Sequence, residues 1–331
     1  MARKLELEVA NFICRFGDKY VLNDLLEEIV LPSFFADTRR SIKGTDYFFI
    51  DQKMLYLDEN ESIESLALCC RLVKNTTLKR HQIYTPNEGI VSSERTLKSA
   101  PSSIAVLLLH SHRLLFVREV PGAPSIHQFG TTFKHRMRDE VLNLQAALYD
   151  KYRTSGEKVT RKKIKKLFPV PDVDVTPLTS SEALRTFIDR FAVLTTLKVG
   201  LAPTNNELDN EEFFEDAREA QELVGGVKTI LTHTNPKGLD KEGCIEHVEA
   251  AKQGNLQVEM RGKDQHGDDI KGDNSDFSVR ASLGTSEVRF DDGVINAYNR
   301  YQNLKEEEVV SEGPQLHDYA QKLRDAFRSL S

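Results

Sequence analysis

The residues best placed to do chemistry in this chain are cations. Arg161, Lys162, Lys163, Lys165 and Lys166 put five positive charges into six residues around Ile164. On a helix they cover most of the circumference, while Ile164, Leu167 and Phe168 supply an anchoring stripe. Charge of this density suits phosphate contacts, because each neutralised phosphate releases condensed counterions. Lys134, Arg136 and Arg138 lie upstream and widen the footprint, as do Lys151, Arg153 and Lys158. From 134 to 166 there are eleven Lys/Arg against four Asp/Glu, and from 205 to 224 eight Asp/Glu against the single Arg218. The formal charge of −6 argues against a protein that coats nucleic acid over its whole surface, but the segregation is more informative than the sum. With no Trp and few aromatics nearby, base stacking is not the expected mode. Contacts to a duplex backbone, with little sequence readout, fit better. Two other readings of these charges stay open: a solvated face, or pairing with the acidic segment 207–222, which would mask the patch until DNA displaces it.

Other patterns carry less. His110-Ser111-His112 has a metal-ligand spacing, since histidines two apart on a strand share a face, and His127 or His135 would have to supply a third ligand. Asp51-x-Lys53 after an apolar strand is similar to half of a restriction-type nuclease core, where the carboxylate binds Mg²⁺ and the lysine supports the attacking water; Asp37 or Asp46 would be the upstream acid. The same residues also read as a tight hairpin turn. The segment 264–269 is acidic but lacks the order of a Ca²⁺ loop, and a turn is the expected reading. Gly225-Gly226 is not followed by the Lys of a P-loop, and no serine sits in a nucleophile elbow. The four cysteines lack C-x-x-C spacing and are expected as buried free thiols in a reducing cytoplasm. No metal or cofactor is expected.

These groups have to be held by a fold of ordinary composition: 331 residues, 39% hydrophobic and 29% charged, long enough for one large domain or two ordinary ones. The scaffold is the apolar stretch 103–119, with runs 104–109 and 114–117 reading as two paired central strands covered on both faces. Before it come an alternating strand over 3–16, a helix over 19–30 ended by Pro32, strands 47–50 and 54–57 as a hairpin, and an apolar stretch 66–73 that is strand or helix. The turn-rich stretch 84–103 reads as a loop. After it come a helix over 132–152, the basic run, a helix over 181–191 and a strand over 191–199. The acidic segment reads as a helix with Phe213, Phe214, Ala217 and Leu223 inside. Then follow a strand over 227–232, a helix over 240–253, strands 256–260 and 277–283 paired across a polar turn, a short strand 288–290, and a closing helix over 316–330. No transmembrane helix or signal peptide is expected. The order implies α+β with mainly antiparallel sheets, flanking helices and a small C-terminal sheet. The expected domains are 1–153 and 154–331.

The layout resembles the RexA-type phage-exclusion proteins of bacterial prophages. The similar features are the early Tyr47-Phe48-Phe49-Ile50 strand followed by 54–57, the central hairpin 104–117, Pro177-Leu178 before a helix, and the late strand–turn–strand unit 258–283. The late unit, reading VEMRGKDQHGDDIKG from Val258, is the closest match. The resemblance spans most of the chain, which is longer at the basic insertion and the C-terminal helix. It implies a dimeric, sequence-nonspecific DNA-binding protein that senses infection intermediates and acts through a partner, such as a membrane effector or a phage protein. The expectation is therefore a cytoplasmic, non-enzymatic protein of antiviral defence that grips double-stranded DNA. The alternatives are a Mg²⁺-dependent nuclease using Asp51 and Lys53, and a module that recognises a phage or host protein.

Overall fold

The alternating N-terminal segment forms a long strand, β1 (Lys4–Phe16), and the larger sheet is assembled on both of its edges. Because side chains alternate along a strand, Leu5, Leu7 and Val9 enter one core while Ala10, Phe12, Cys14 and Phe16 enter the other. The computed structural model describes residues 4–17, 19–155, 158–201, 212–226, 228–249, 256–285, 289–310 and 319–330.

In chain order, β2 (Tyr20–Val21) leads into a helical run over 22–35, made of a 3-10 turn, a π turn and α1 (Leu31–Phe35). Pro32 does not end the helix; it sits in the first turn of α1, where its missing N–H costs no hydrogen bond. Next come β3 (Arg40–Ile42), β4 (Thr45–Tyr56), β5 (Leu66–Thr85), β6 (Gly89–Ser99), β7 (Ser102–Leu108) and β8 (Arg113–Arg118). They are followed by α2 (Ile126–Thr154), α3 (Arg161–Leu167), β9 (Pro171–Pro177), α4 (Ser181–Asp189), β10 (Val193–Leu201) and α5 (Glu212–Leu223). The chain continues through β11 (Ile230–Thr234), α6 (Lys241–Glu249), β12 (Leu256–Lys263), β13 (Asp269–Asp273), β14 (Arg280–Thr285), α7 (Phe290–Glu306) and α8 (Ala320–Leu330).

The ten-stranded sheet has the order β14-β1-β8-β7-β5-β4-β3, with β2 and β9 also pairing β1 and β6 pairing β5; the second sheet has four strands in the order β11-β10-β12-β13. All pairings are antiparallel, and the fold is α+β as expected. The central hairpin forms as β7 and β8, with Ser103 opposite Arg118 and Leu107 opposite Leu114. One face of the large sheet packs on the helical run, α2 and α8 around a cluster of phenylalanines. The other packs on α7, through Ala297, Tyr298 and Tyr301. No described helix is long and apolar enough to cross a membrane.

Several expectations are corrected. The expected strands 47–50 and 54–57 fall in one strand, β4, not a hairpin, because β4 stays paired with β5 from Asp46 to Tyr56 and only Leu57 lies beyond it. The expected turn is a bulge between Ile50 and Lys53, with Asp51 in the left-handed region at φ 55°, which absorbs an extra residue without reversing the chain. The stretch 84–103 contains a full strand, β6; its Pro and Gly residues mark only the strand ends. The partner of β12 is β13 on one side and β10 on the other, whereas β14 crosses to the large sheet and pairs β1. Phe290 opens α7 rather than closing a strand, and Asp291 and Asp292 lie in that helix's first turn, where the helix dipole favours acids. Val288 lies outside the described residues. Of the elements after residue 153, β9, β14, α7 and α8 serve the larger sheet. The strands of the small sheet lie between residues 179 and 278, which are joined by the Thr179–Ser278 bridge, with Val279 N–H donating to Leu178 O at 2.8 Å beside it.

Helix α2 is seated by close contact with β9. A Cβ on Gly130 would lie 2.5 Å from Val175 Cγ2, so the helix approaches the strand as nearly as a glycine permits. Gly130→Ala is therefore expected to cost roughly 1–3 kcal/mol through overpacking, read as a lower urea midpoint with an unchanged m-value.

Candidate nucleic-acid interface

The basic residues are held by α2 and α3. Ser125 caps α2: its hydroxyl accepts from Gln128 N–H at 3.3 Å, and Gln128 Oε1 accepts from Ser125 N–H at 2.8 Å, a reciprocal box that fixes the helix start. Helix α3 starts at Thr160, whose hydroxyl accepts from Lys163 N–H at 3.3 Å. Ile164 is buried, and it lines a cleft of about 280 Å³ together with the α2 residues Leu142, Gln145, Ala146 and Tyr149. Gln145 Nε2 donates to Phe168 O at 2.6 Å, and the Arg161 guanidinium lies 4.8 Å from the Tyr149 ring centroid. The expected anchor is only partly observed: Ile164 is buried, Phe168 is half-buried and Leu167 is exposed.

Lys134 and Arg138 precede the docking site on the same helix. The spacing 134, 138, 142, 145, 149 is one stripe of an α-helix, and the stripe from Arg138 to Tyr149 runs for about 16 Å at 1.5 Å per residue. Two cations therefore lead along α2 to the five of α3. Arg138, Arg161, Lys162, Lys163, Lys165 and Lys166 are exposed. Among the described residues no ion pair engages any of these six. Lys134 is half-buried and paired with Asp172.

Arg136 is different and corrects the expected set. It is 3% exposed, and its guanidinium donates to Phe34 O at 3.1 Å, Thr38 Oγ1 at 3.0 Å and Ala36 O. It also lies 4.3 Å from the Phe49 ring centroid. Burial pushes the group down to about 10, so it is still cationic at neutral pH. With its donors spent on two carbonyls and a hydroxyl at the end of α1 and just after it, Arg136 is a structural clamp. The signal for this was in the sequence: Arg136 stands three residues after Phe133 and next to Met137, on the buried face of α2.

No protein-family model matches this chain, and no curated protein matches it at a significant level. The reading of the site therefore rests on geometry.

The other sequence candidates are drawn into structure. Asp51 pairs with Arg71 at 2.7 Å, Lys53 with Asp291, and Arg71 also with Glu119 at 2.9 Å. This network ties β4 and β5 to α7 and to the end of β8, and the cations of Lys53 and Arg71 lie 5.7 Å and 5.2 Å from the Phe290 ring centroid. Among the described residues no group of three His, Cys, Asp or Glu side chains is placed to hold a metal ion. His110 and His112 are buried, not exposed at a tip. Asp264 accepts from His266 N–H at 2.8 Å and Asp268 N–H at 3.0 Å, and those backbone donors hold its carboxyl below the ordinary range, as a turn requires. The four cysteines are free and buried. Within the acidic helix α5, Phe214 is buried but Leu223 is exposed, against the expected inner face. The glutamates expected to mask the patch, Glu211, Glu212 and Glu215, lie outside the residues whose side chains are described.

A cavity of about 310 Å³ lies between β9 and the small sheet. Burial raises the Asp174 carboxyl there. Gln257 Nε2 donates to it, Lys228 Nζ donates to Gln257 Oε1 at 3.2 Å, and Lys198 pairs with Glu259 at 3.2 Å. These polar groups satisfy one another, and the cavity reads as part of the seam between the two sheets.

Proposed function

We propose that this chain is a sequence-nonspecific duplex-DNA-binding protein that grips phosphates through the α2–α3 stripe. The observation that carries the reading is six exposed cations without carboxylate partners among the described residues, on two helices that pack against each other. Surface cations left unpaired on a rigid support are suited to release counterions on binding. A surface made of lysine and arginine heads contacts the backbone without distinguishing sequences. The resemblance of layout adds a setting, antiviral defence in a bacterium with a second protein as effector, and that part rests on the order of sequence features alone.

The test is a titration of labelled duplexes of unrelated sequence at several salt concentrations. Replacing Lys162, Lys163, Lys165 and Lys166 together by Ala is expected to weaken binding of every duplex by at least about tenfold and to flatten the salt slope by about 3.6, at about 0.9 per lost phosphate contact. No binding by the unaltered protein at physiological salt, or an unchanged slope in the variant, overturns the reading.

A further inference from the structure

The hairpin β5–β6 leaves the body of the protein. From Asn75 to Ala100 no residue is buried, and the ten residues from Thr76 to Thr85 project by roughly 30 Å at strand rise. Three residues, Pro86-Asn87-Glu88, close the tip, followed by Gly89 at φ 72°. The pairing register sets out the two faces. Leu78 opposes Leu97, Arg80 opposes Arg95, Gln82 opposes Ser92 and Tyr84 opposes Ile90, all on one face. None of these four pairs includes an acid; the arm's two acids are Glu94, where the register shifts between Arg80 and Gln82, and Glu88 at the tip. The apolar side chains of the pairs are exposed by 53% (Leu78), 66% (Leu97), 73% (Tyr84) and 71% (Ile90). The other face adds Lys79 and Lys98. Among the described residues no ion pair touches the arm, and Arg80 Nη2 donates only to Ser93 Oγ, at 2.9 Å.

Two features call for a partner. An isolated two-stranded hairpin is marginal in water, and like charges directly opposite destabilise it further. The arginine pair selects the partner's chemistry. A second copy meeting this face across a two-fold axis at its centre would stack the same arginines on one another, because such an interface sets a patch against itself. An anionic double helix instead offers phosphates to the arginines, and its major groove admits a two-stranded ribbon.

We propose that the arm is a second nucleic-acid contact, a ribbon that enters the major groove of duplex DNA with Arg80 and Arg95 anchored on phosphates and Tyr84 and Ile90 filling the groove without selecting a base. This rests on the DNA-binding reading above and adds an element that reading does not use. The arm's side chains are exposed, so their replacement leaves the core intact.

The test compares four proteins, the unaltered chain, Arg80→Gln/Arg95→Gln, Tyr84→Ser/Ile90→Ser and the α3 lysine variant, in duplex titrations and in protection of guanine N7 from methylation. Guanine N7 faces the major groove. The arginine variant is expected to bind about tenfold more weakly, with a salt slope lower by about 1.8, and to lose N7 protection. The tip variant is expected to lose protection with the salt slope kept. The α3 variant is expected to bind more weakly with N7 protection kept at saturation. Arm variants that bind and protect like the unaltered chain, beside a weakened α3 variant, overturn this inference and leave the reading of the patch standing. A loss of self-association in the arm variants with unchanged DNA affinity also overturns it. Absence of duplex binding by the unaltered chain overturns both.

Discussion

Phe133→Ala is expected to destabilise the protein by about 3–5 kcal/mol, the range for emptying a large aromatic site in a close-packed core. Phe133 is fully buried on α2. Its ring centroid lies 5.9 Å from Phe12 on β1, 5.8 Å from Phe34 on α1, 6.0 Å from Phe49 on β4 and 5.9 Å from Phe129 one turn earlier. The ring thus joins a helix to two strands of the large sheet and to the helical run, and each contact sits within the separation at which aromatic pairs add to area burial. Four rings held by separate elements leave little room to collapse into the gap, which places the cost at the upper part of the range. Urea unfolding should show a lowered midpoint at constant slope. A loss below about 1 kcal/mol would mean that the neighbouring rings close the cavity.

Arg136→Leu has the second largest expected effect, about 2–4 kcal/mol, set by the cost of leaving a buried acceptor without its donor together with the lost ring contact. Ala36 O loses the guanidinium, whereas Phe34 O keeps a second donor in Gln52 Nε2. Arg136→Lys is no conservative replacement here, because a single ammonium cannot span three acceptors as the planar fork does. The duplex affinity of the folded fraction should be unchanged. A drop in affinity equal to that of the α3 variant would return Arg136 to the phosphate-binding set.

The parts of the fold visible in the sequence are those where burial imposes a period. The strands β10 and β12 and the helices α2, α4 and α8 bury one regular face, and their apolar spacing shows it, while β7, β8 and most of β1 are buried on both faces and show as continuous apolar runs. The arm was not visible because neither of its faces is covered, so β6 alternates nothing and its turn residues read as loop. The bulge at Asp51 was hidden because a polar triplet between apolar runs is the signature of a hairpin as well. The pairing of β14 with β1 joins opposite ends of the chain, and no local pattern encodes a partner at that distance. The candidate site was legible as charge and misread at one residue. Arg136 looks like Arg138 by type, and only its place beside Phe133 and Met137 separates a clamp from a surface cation.

The seating of β14 against β1 also sets an order of events during synthesis. Lys4 is made well before its partner Thr285, which follows after tens of seconds of elongation at about 5–20 residues per second. Throughout that interval one edge of β1 is bare over Lys4–Glu8, an open template for strands of other nascent chains. The ribosome-bound intermediate, rather than the finished protein, is therefore the species most exposed to misassembly, and the one a holding chaperone would have most reason to cover.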